Sequence, residues 1–115
     1  MAGPCVFCKI VDREAHAEIV HESDAVLAFR DTNPQAPTHI LLIPKEHVPS
    51  VRELTAEHGD TMIELVHVAA HLARAEGIDE TGWRLVTNVG ADAGQTVHHL
   101  HVHLLGGRRM GWPPG

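Results

Sequence analysis

Histidine alternates with leucine and valine along residues 99–104, in the run His-Leu-His-Val-His-Leu. Such alternation is typical of a β-strand, because successive side chains of a strand point to opposite faces of its sheet. We therefore expect His99, His101 and His103 to share one face that lines a surface or a cleft. The opposite face is expected to bury in a core and consists of Leu100, Val102 and Leu104. A strand with imidazoles along one face predicts a site of chemistry.

Three imidazoles on one strand face suit two kinds of chemistry. Neighbouring histidines could chelate one metal ion and leave an open coordination position for water. Alternatively, one imidazole could be a covalent nucleophile toward phosphorus or a carbonyl carbon, with its neighbours controlling protons. The preceding Gly94-Gln95-Thr96 offers backbone N–H groups, an amide and a hydroxyl, which suit phosphate oxygens and favour the nucleophile. The remaining alternative is that the histidines only face solvent or complete a core.

The composition restricts the partners of the chain. Its 115 residues predict a single domain, 1–115, and its formal net charge is −6 with histidine neutral. This charge argues against nucleic acid or an anionic membrane as a partner, so a phosphate ligand would be held by backbone amides, neutral donors and histidines. No apolar run approaches the roughly 18–20 residues of a membrane span. The sequence shows no signal peptide, which predicts a cytoplasmic location.

Both cysteines lie near the start of the chain, in Cys5-Val6-Phe7-Cys8. Their two-residue spacing lets both sulfurs face one point, as in half of a zinc site. Unpaired structural cysteines, a redox dithiol and a disulfide are the alternatives, and a disulfide is rare in the cytosol. A zinc site would need two more ligand residues from elsewhere in the chain.

The remaining sequence predicts further strands and one long helix. The predicted strands are residues 18–22, 25–30, 38–43 and 83–88, with the histidine run as the fifth. The helix is predicted between strands three and four, and the strands are joined mostly by turns or short loops. This order predicts an antiparallel α+β fold with the helix packed on one face of the sheet.

The predicted helix begins after a Thr55 cap and ends at Gly77. Its apolar stripe consists of Met62, Leu65, Val66, Ala69, Leu72 and Ala73. His58, His67 and His71 are expected to have no functional role, and His67 and His71 lie off this stripe and are expected in solvent.

Residues 94–105 resemble the signature of the histidine triad (HIT) superfamily of nucleotide hydrolases and transferases, in which histidines alternate with apolar residues. The resemblance covers nearly the whole chain and includes Phe7-Cys8-Lys9-Ile10, residues 31–39, residues 43–47, and Asn88 with Gly90. The ending, residues 106–115, resembles the Hint-like purine nucleoside phosphoramidase branch rather than the dinucleoside polyphosphate hydrolases.

This resemblance implies a HIT-like fold: a five-stranded antiparallel sheet with one long helix and a short N-terminal helix or turn, assembled as a homodimer. It implies hydrolysis of the P–N bond of purine (adenosine) nucleoside 5′-phosphoramidates through a covalent nucleotidyl-histidine intermediate. Two alternatives stay open. One is a hydrolase or nucleotidyltransferase acting on dinucleoside polyphosphates or other nucleotide anhydrides, and the other is a nucleotide-binding, zinc-stabilised interaction module.

The resemblance also implies roles for particular residues. His101 would attack the α-phosphorus, His103 would hydrogen-bond phosphate oxygens, and His39 would orient the catalytic imidazoles. Thr96 would hold the phosphate and donate a proton toward the leaving amine. The other implied nucleotide-binding residues are Phe7, Ile10, Phe29 and Thr32 at the purine, Asp31 at the ribose, Asn88, Gly94 and Gln95 at the phosphate, and Trp112 near the active site of a second subunit.

A structural zinc ion is also implied by the resemblance. Its ligands would be Cys5, Cys8, His47 and His99, a closed set of four that leaves catalysis free of metal. The chain departs from the family pattern at residues 13–17, where Gly-Glu-Ile-Pro is common, at His98 and at Gly111. These departures bear on the fit of the substrate and of its leaving group.

Overall fold

The computed structural model describes residues 5–115, so the part of the signal-peptide prediction that concerns residues 1–4 lies outside the described residues. The helices and strands are α1 (Val6–Val11), β1 (Ile19–Glu22), β2 (Val26–Arg30), β3 (Thr38–Pro44), α2 (Gly59–Ala75), β4 (Trp83–Val86) and β5 (Val102–Gly106). Two short 3-10 helices, Val51–Glu53 and Ala56–His58, precede α2. No helix in this part of the chain is long and apolar enough to cross a membrane.

The five strands form one antiparallel sheet in the order β1-β2-β3-β5-β4, which confirms the predicted fold class. Strand β3 is central and every one of its residues is buried, as its apolar run requires. Strand β5 lies between β3 and β4, so that His103 is paired with Leu41 on one side and Val86 on the other. The end of the histidine run therefore lies inside the sheet.

Each face of the sheet carries its own apolar cluster. Helix α2 covers one face with its buried residues, which are Leu65, Val68, Ala69, Leu72 and Ala73. Helix α1 covers part of the other face, where Phe7 and Ile10 pack with Leu27, Phe29, Leu41 and Ile43. Consecutive residues of β3 alternate between the two clusters, as strand geometry dictates.

Helix α2 begins later than the sequence predicts. Thr55 caps the 3-10 helix before it, because its hydroxyl accepts the Glu57 N–H and its own N–H donates to the His58 ring. His58 is half-buried in this contact, whereas His67 and His71 are exposed, as predicted. Gly77 follows the helix at φ +77°, which confirms the predicted end. Val66 is 47% exposed while Val68 is buried, so the predicted stripe was wrong at Val66.

The histidine run is not one continuous strand. Strand β5 begins only at Val102, and β4 ends before Asn88. The backbone between them is paired outside the sheet: the Leu100 N–H donates to the Val48 carbonyl at 2.6 Å, and the Thr87 hydroxyl donates to the His101 carbonyl at 2.9 Å. The expectation that all three histidines line an open surface or cleft was wrong, because His99 is 0% exposed.

Candidate functional site

A pocket of about 370 Å³ opens on the face of the sheet that α1 partly covers. Its lining includes eight residues predicted for catalysis or nucleotide binding: Phe7, Ile10, Phe29, Asp31, Thr32, Thr96, His101 and His103. Apolar walls with a few converging polar groups are the usual composition of a small-molecule site. The structure therefore brings most of the predicted nucleotide residues to one place.

Five predicted residues lie outside this lining: His39, Asn88, Gly94, Gln95 and Trp112. The Gln95 amide is engaged by the backbone, since its Oε1 accepts the Gly90 N–H at 2.9 Å and its Nε2 donates to the Pro49 and Val97 carbonyls at 2.9 and 3.1 Å. Gln95 thereby holds the glycine-rich loop before the histidine run. The Trp112 side chain is 84% exposed.

Other residues of the lining were missed by sequence reasoning: Val6, His16, Ala17, Arg30, Leu41 and Val97. Strand alternation could have found Leu41, because it lies two residues after His39 on the same face of β3. The Arg30 guanidinium is turned to Glu76, to which it donates two hydrogen bonds of 2.8 and 2.9 Å. Ala17 and His16 belong to the segment that departs from the family pattern, and no local periodicity marks them.

His101 is buried at the pocket and has one nitrogen free. Its Nδ1 lies 2.7 Å from the His99 carbonyl oxygen. A carbonyl oxygen can only accept, so Nδ1 carries the proton and the lone pair of the neutral ring is on Nε2. The Phe7 ring packs edge-on against the imidazole, with 5.1 Å between ring centroids. His101 is therefore oriented as a nucleophile or base through Nε2.

His103 and His39 form a hydrogen-bonded pair beside His101. His39 Nε2 lies 2.9 Å from His103 Nδ1 and 3.4 Å from Asp31 Oδ2. On its other side, His39 Nδ1 accepts the Gln35 backbone N–H at 2.9 Å. His103 Nε2 is buried and has no hydrogen-bond partner among the described residues. An unpaired buried polar atom at a pocket is a group available to a ligand.

Burial favours the neutral form of both imidazoles of this pair. It lowers the pKa of His103 to about 4, and the neighbouring His101 and His39 lower it in the same direction. Burial also lowers the pKa of His39, against the opposing charge of Asp31. Asp31, His39 and His103 place donor atoms within 4.8 Å of one another, the spacing of a possible metal site. Their hydrogen bonds, however, already use the facing nitrogens.

A second cluster lies at the start of the histidine run. Cys5, Cys8, His47 and His99 each place one donor atom within 4.8 Å of the others. His99 Nδ1 is 3.4 Å from Cys5 Sγ and 3.5 Å from Cys8 Sγ, and His47 Nδ1 is 3.2 Å from Cys8 Sγ. Donors bound to tetrahedral zinc at about 2.3 Å for sulfur and 2.0 Å for nitrogen are about 3.5 Å apart, so these distances fit that ion. The predicted set of four donors is thus assembled.

The orientation of the His99 ring also suits a metal. His99 Nε2 lies 2.8 Å from the Pro44 carbonyl, so Nε2 carries the proton and the Nδ1 lone pair faces the two sulfurs. Burial and the adjacent Cys5 thiol raise the pKa of the Cys8 thiol to about 11. A divalent cation would reverse that effect, because a coordinated thiol is deprotonated.

Known proteins match the chain over nearly its whole length. The family model described as scavenger mRNA decapping enzyme C-term binding matches residues 4–111. The purine nucleoside phosphoramidase of Escherichia coli K12 is 49% identical over 111 residues, which are 96% of this chain and 93% of that protein. The 14 kDa zinc-binding protein of Zea mays is 46% identical over 115 residues, which cover 98% of this chain and 89% of that protein. The crystal structure of a HIT family hydrolase from Legionella pneumophila matches with a TM-score of 0.94 and 49% identity, covering 96% of this chain and 99% of that chain.

Proposed function

This chain belongs to the histidine triad (HIT) family, and we propose that it hydrolyses the P–N bond of purine nucleoside 5′-phosphoramidates. The observation that carries the proposal is the pair of ring nitrogens at the pocket. His101 offers a lone pair on Nε2, and the buried Nε2 of His103 has no partner of its own in the described part of the chain. One nitrogen can form a bond to phosphorus while the other donates to a phosphate oxygen.

The proposed reaction has two displacements at phosphorus. First, His101 Nε2 attacks the α-phosphorus, a new N–P bond forms, and the P–N bond to the amine breaks. The amine leaves with a proton that the Thr96 hydroxyl relays from solvent, since Thr96 lines the same pocket. Water then attacks the phosphorus and gives up one proton to solvent, and the His101–phosphorus bond breaks. This step forms a nucleoside monophosphate and regenerates neutral His101.

The remaining pocket residues are proposed to hold the nucleotide. Phe7, Ile10 and Phe29 are buried apolar side chains that suit a purine ring, with Thr32 at the same wall. The Asp31 carboxylate suits the two ribose hydroxyls, because it can accept a hydrogen bond from each. Asn88, Gly94, Gln95 and Thr96 are proposed at the phosphate, with Gln95 acting through the loop that its amide holds.

We infer that Cys5, Cys8, His47 and His99 hold a structural zinc ion. All four positions of a tetrahedral ion are filled by these donors, which leaves no open position for a substrate. The cluster joins the start of α1 to the catalytic run, and α1 supplies Phe7 and Ile10 to the pocket. When bound, zinc supplies stability and position, and the phosphorus chemistry is assigned to His101.

A homodimer is part of the proposal. Strand β4 is an edge of the sheet with partly exposed side chains, and on α2 Ile63 and Val66 are 64% and 47% exposed. An unpaired strand edge and exposed apolar side chains each suit contact with a second copy of the chain. Trp112 is proposed to reach the pocket of that second copy. A cytoplasmic location, where thiols stay reduced, completes the proposal.

Steady-state hydrolysis by wild type, His101→Ala and His67→Ala tests the proposed function, with adenosine 5′-phosphoramidate and a diadenosine polyphosphate as substrates. His67 is exposed on α2 and outside the pocket, so its variant is the matched control. We expect wild type and His67→Ala to cleave the phosphoramidate and His101→Ala to lose at least about a thousandfold in kcat. Faster cleavage of the diadenosine compound would favour the anhydride hydrolase, and nucleotide binding without turnover would favour the interaction module.

A further inference from the structure

We propose that the backbone N–H of Gln35 is a tautomer lock for the catalytic imidazoles. It fixes the proton of His39 on Nε2 and, through His39, fixes the proton of His103 on Nε2, the donor at the pocket. Gln35 is therefore a positioning residue that acts through His39 and His103. The use of the lock in catalysis rests on the proposed function, while the lock itself does not.

The Gln35 backbone N–H fixes the tautomer of His39. Its Nδ1 lies 2.9 Å from the Gln35 backbone nitrogen, which can only donate, so Nδ1 must present a lone pair. A neutral imidazole has one N–H, which is then on Nε2. The side chain of His39 is buried, so water is not available to accept the proton of the other tautomer. That tautomer would set two N–H groups against each other in the interior, at the cost of an unsatisfied donor.

His39 in turn fixes the tautomer of His103. The two rings meet through His39 Nε2 and His103 Nδ1 at 2.9 Å, and His39 brings the proton to this contact. A proton on His103 Nδ1 would meet that N–H, so the proton of neutral His103 is on Nε2. That atom is buried without a partner in the described residues, and His103 lines the pocket. A single backbone donor thus decides that His103 presents N–H to the ligand.

The segment after β5 holds the loop that contains Gln35. Its carbonyl oxygen accepts a hydrogen bond from Arg108 Nε at 2.8 Å, and its side-chain Nε2 donates to the Asn33 carbonyl at 3.0 Å. Gly107, at φ +90°, packs on Pro37 so closely that a Cβ there would lie 2.9 Å from Pro37 Cβ. The segment after β5 therefore clamps the loop that carries the lock. Nothing in the amino-acid type of residue 35 reveals this role, because only its backbone is used.

The lock also distinguishes two uses of the group formed by Asp31, His39 and His103, whose donor atoms lie within 4.8 Å of one another. Coordination through His39 Nε2 would require its proton to move to Nδ1, against the Gln35 N–H. The lock therefore keeps this group in its hydrogen-bonded form. The cluster at Cys5 is opposite in this respect, because there the Pro44 carbonyl leaves the His99 Nδ1 lone pair free.

The ¹⁵N spectrum of the histidine rings tests the lock in the zinc-loaded full chain without substrate. With ¹⁵N-histidine labelling, we expect a pyridine-type Nδ1 and a pyrrole-type Nε2 for both His39 and His103. A pyrrole-type Nδ1 on His39, or a mixture of tautomers, would overturn the proposal. This readout stands even if the chain does not cleave phosphoramidates, so failure of the lock and failure of the proposed function are distinguishable.

Gln35→Pro removes the N–H, and Gln35→Ala keeps it while removing the same side chain. For Gln35→Pro, kcat for hydrolysis of adenosine 5′-phosphoramidate should fall about tenfold, because one hydrogen bond changes the population ratio of the two tautomers by about that factor. KM should change less than about twofold. Its His39 spectrum should become a mixture of tautomers, and Gln35→Ala should match wild type in both respects.

If Gln35→Pro does not fold, lactic acid at position 35 replaces the N–H by an ester oxygen and is compared with Gln35→Ala. A folded variant without the N–H whose His39 tautomer is unchanged contradicts the lock. Loss of kcat without a change of tautomer contradicts it equally, because the hydrogen bond would then act on the loop alone.

Discussion

Two histidines of one run, His99 and His101, have the same side chain and opposite chemistry. At His99, the Pro44 carbonyl accepts a hydrogen bond from Nε2–H, and the Nδ1 lone pair faces two cysteines. At His101, the His99 carbonyl accepts a hydrogen bond from Nδ1–H, and the lone pair is on Nε2. The same kind of acceptor selects opposite nitrogens. The backbone partner of each ring, rather than its position in the alternation, therefore decides what the ring can do.

Two consequences of this comparison bear on stability and catalysis. The cluster at His99 is closed by four donors and is suited to hold the start of the chain against the catalytic run. The cluster at His103 ends in a buried atom without a partner among the described residues, a cost that folding alone does not repay. We interpret the first cluster as structural and the second as functional. Three experiments can break or sharpen this division.

The largest effect is expected at the pocket end. His103→Ala removes the proposed donor to the phosphate and should lower kcat about a hundredfold, as loss of one preorganised donor does in other enzymes. His103→Gln should recover part of the activity, since its amide can donate from a similar position. Steady-state hydrolysis of adenosine 5′-phosphoramidate measures both, with exposed His67→Ala as the control. Equal activity of His103→Ala and His67→Ala would contradict a catalytic role for His103.

A smaller effect on catalysis and a clear effect on stability are expected at the metal end. The Cys5 Sγ caps α1 by accepting the Cys8 N–H at 3.3 Å, and Cys5→Ser keeps an acceptor for this cap while removing a metal ligand. The variant should lose zinc and at least about 2 kcal/mol of unfolding free energy, because structural zinc contributes directly to folding. Urea denaturation with and without a chelator measures this. A chelator should destabilise wild type and leave Cys5→Ser unchanged; a variant that keeps both its zinc and its stability would refute the assignment.

A third effect concerns the pH dependence of stability. Because burial lowers the pKa of His103 to about 4 from its ordinary 6.5, the unfolded chain binds more protons than the folded chain between these values. The contribution of His103 to unfolding free energy is therefore constant above pH 7 and is lost as pH falls from 6.5 toward 4. Urea denaturation over this range measures the unfolding free energy of wild type minus that of His103→Gln. This difference should decrease as pH falls. Comparing the two proteins at each pH cancels the release of zinc, and a difference that grows toward acid would contradict the burial of a neutral ring.

The fold was predictable from local patterns. Alternation and turn residues predicted the strands, and the spacing of Leu65, Ala69 and Leu72 predicted the buried face of α2. Val66 and Val68 show the limit, since both are apolar and only the packing of the helix decides which one is buried. The family resemblance predicted most of the pocket lining, because the family motifs specify residue types at these positions.

The sequence could not predict which ring nitrogen of each histidine carries the proton. The burial of His99, the engagement of the Gln95 amide by three backbone groups and the donor to His39 all depend on where the fold places particular backbone atoms. Backbone carbonyls are common to every residue type and backbone N–H groups to every type but proline, so the sequence does not mark them. Three equivalent imidazoles in the sequence therefore become distinct only when the fold supplies their partners.

The zinc content of purified His101→Ala, measured per chain together with its hydrolysis of adenosine 5′-phosphoramidate, tests the central division most directly. We expect one zinc ion per chain and at least about a thousandfold lower kcat, because His101 is the proposed nucleophile and the proposed zinc ligands are four other residues. Loss of the zinc ion together with the activity would show that the two ends of the run are one metal site, and would contradict the account.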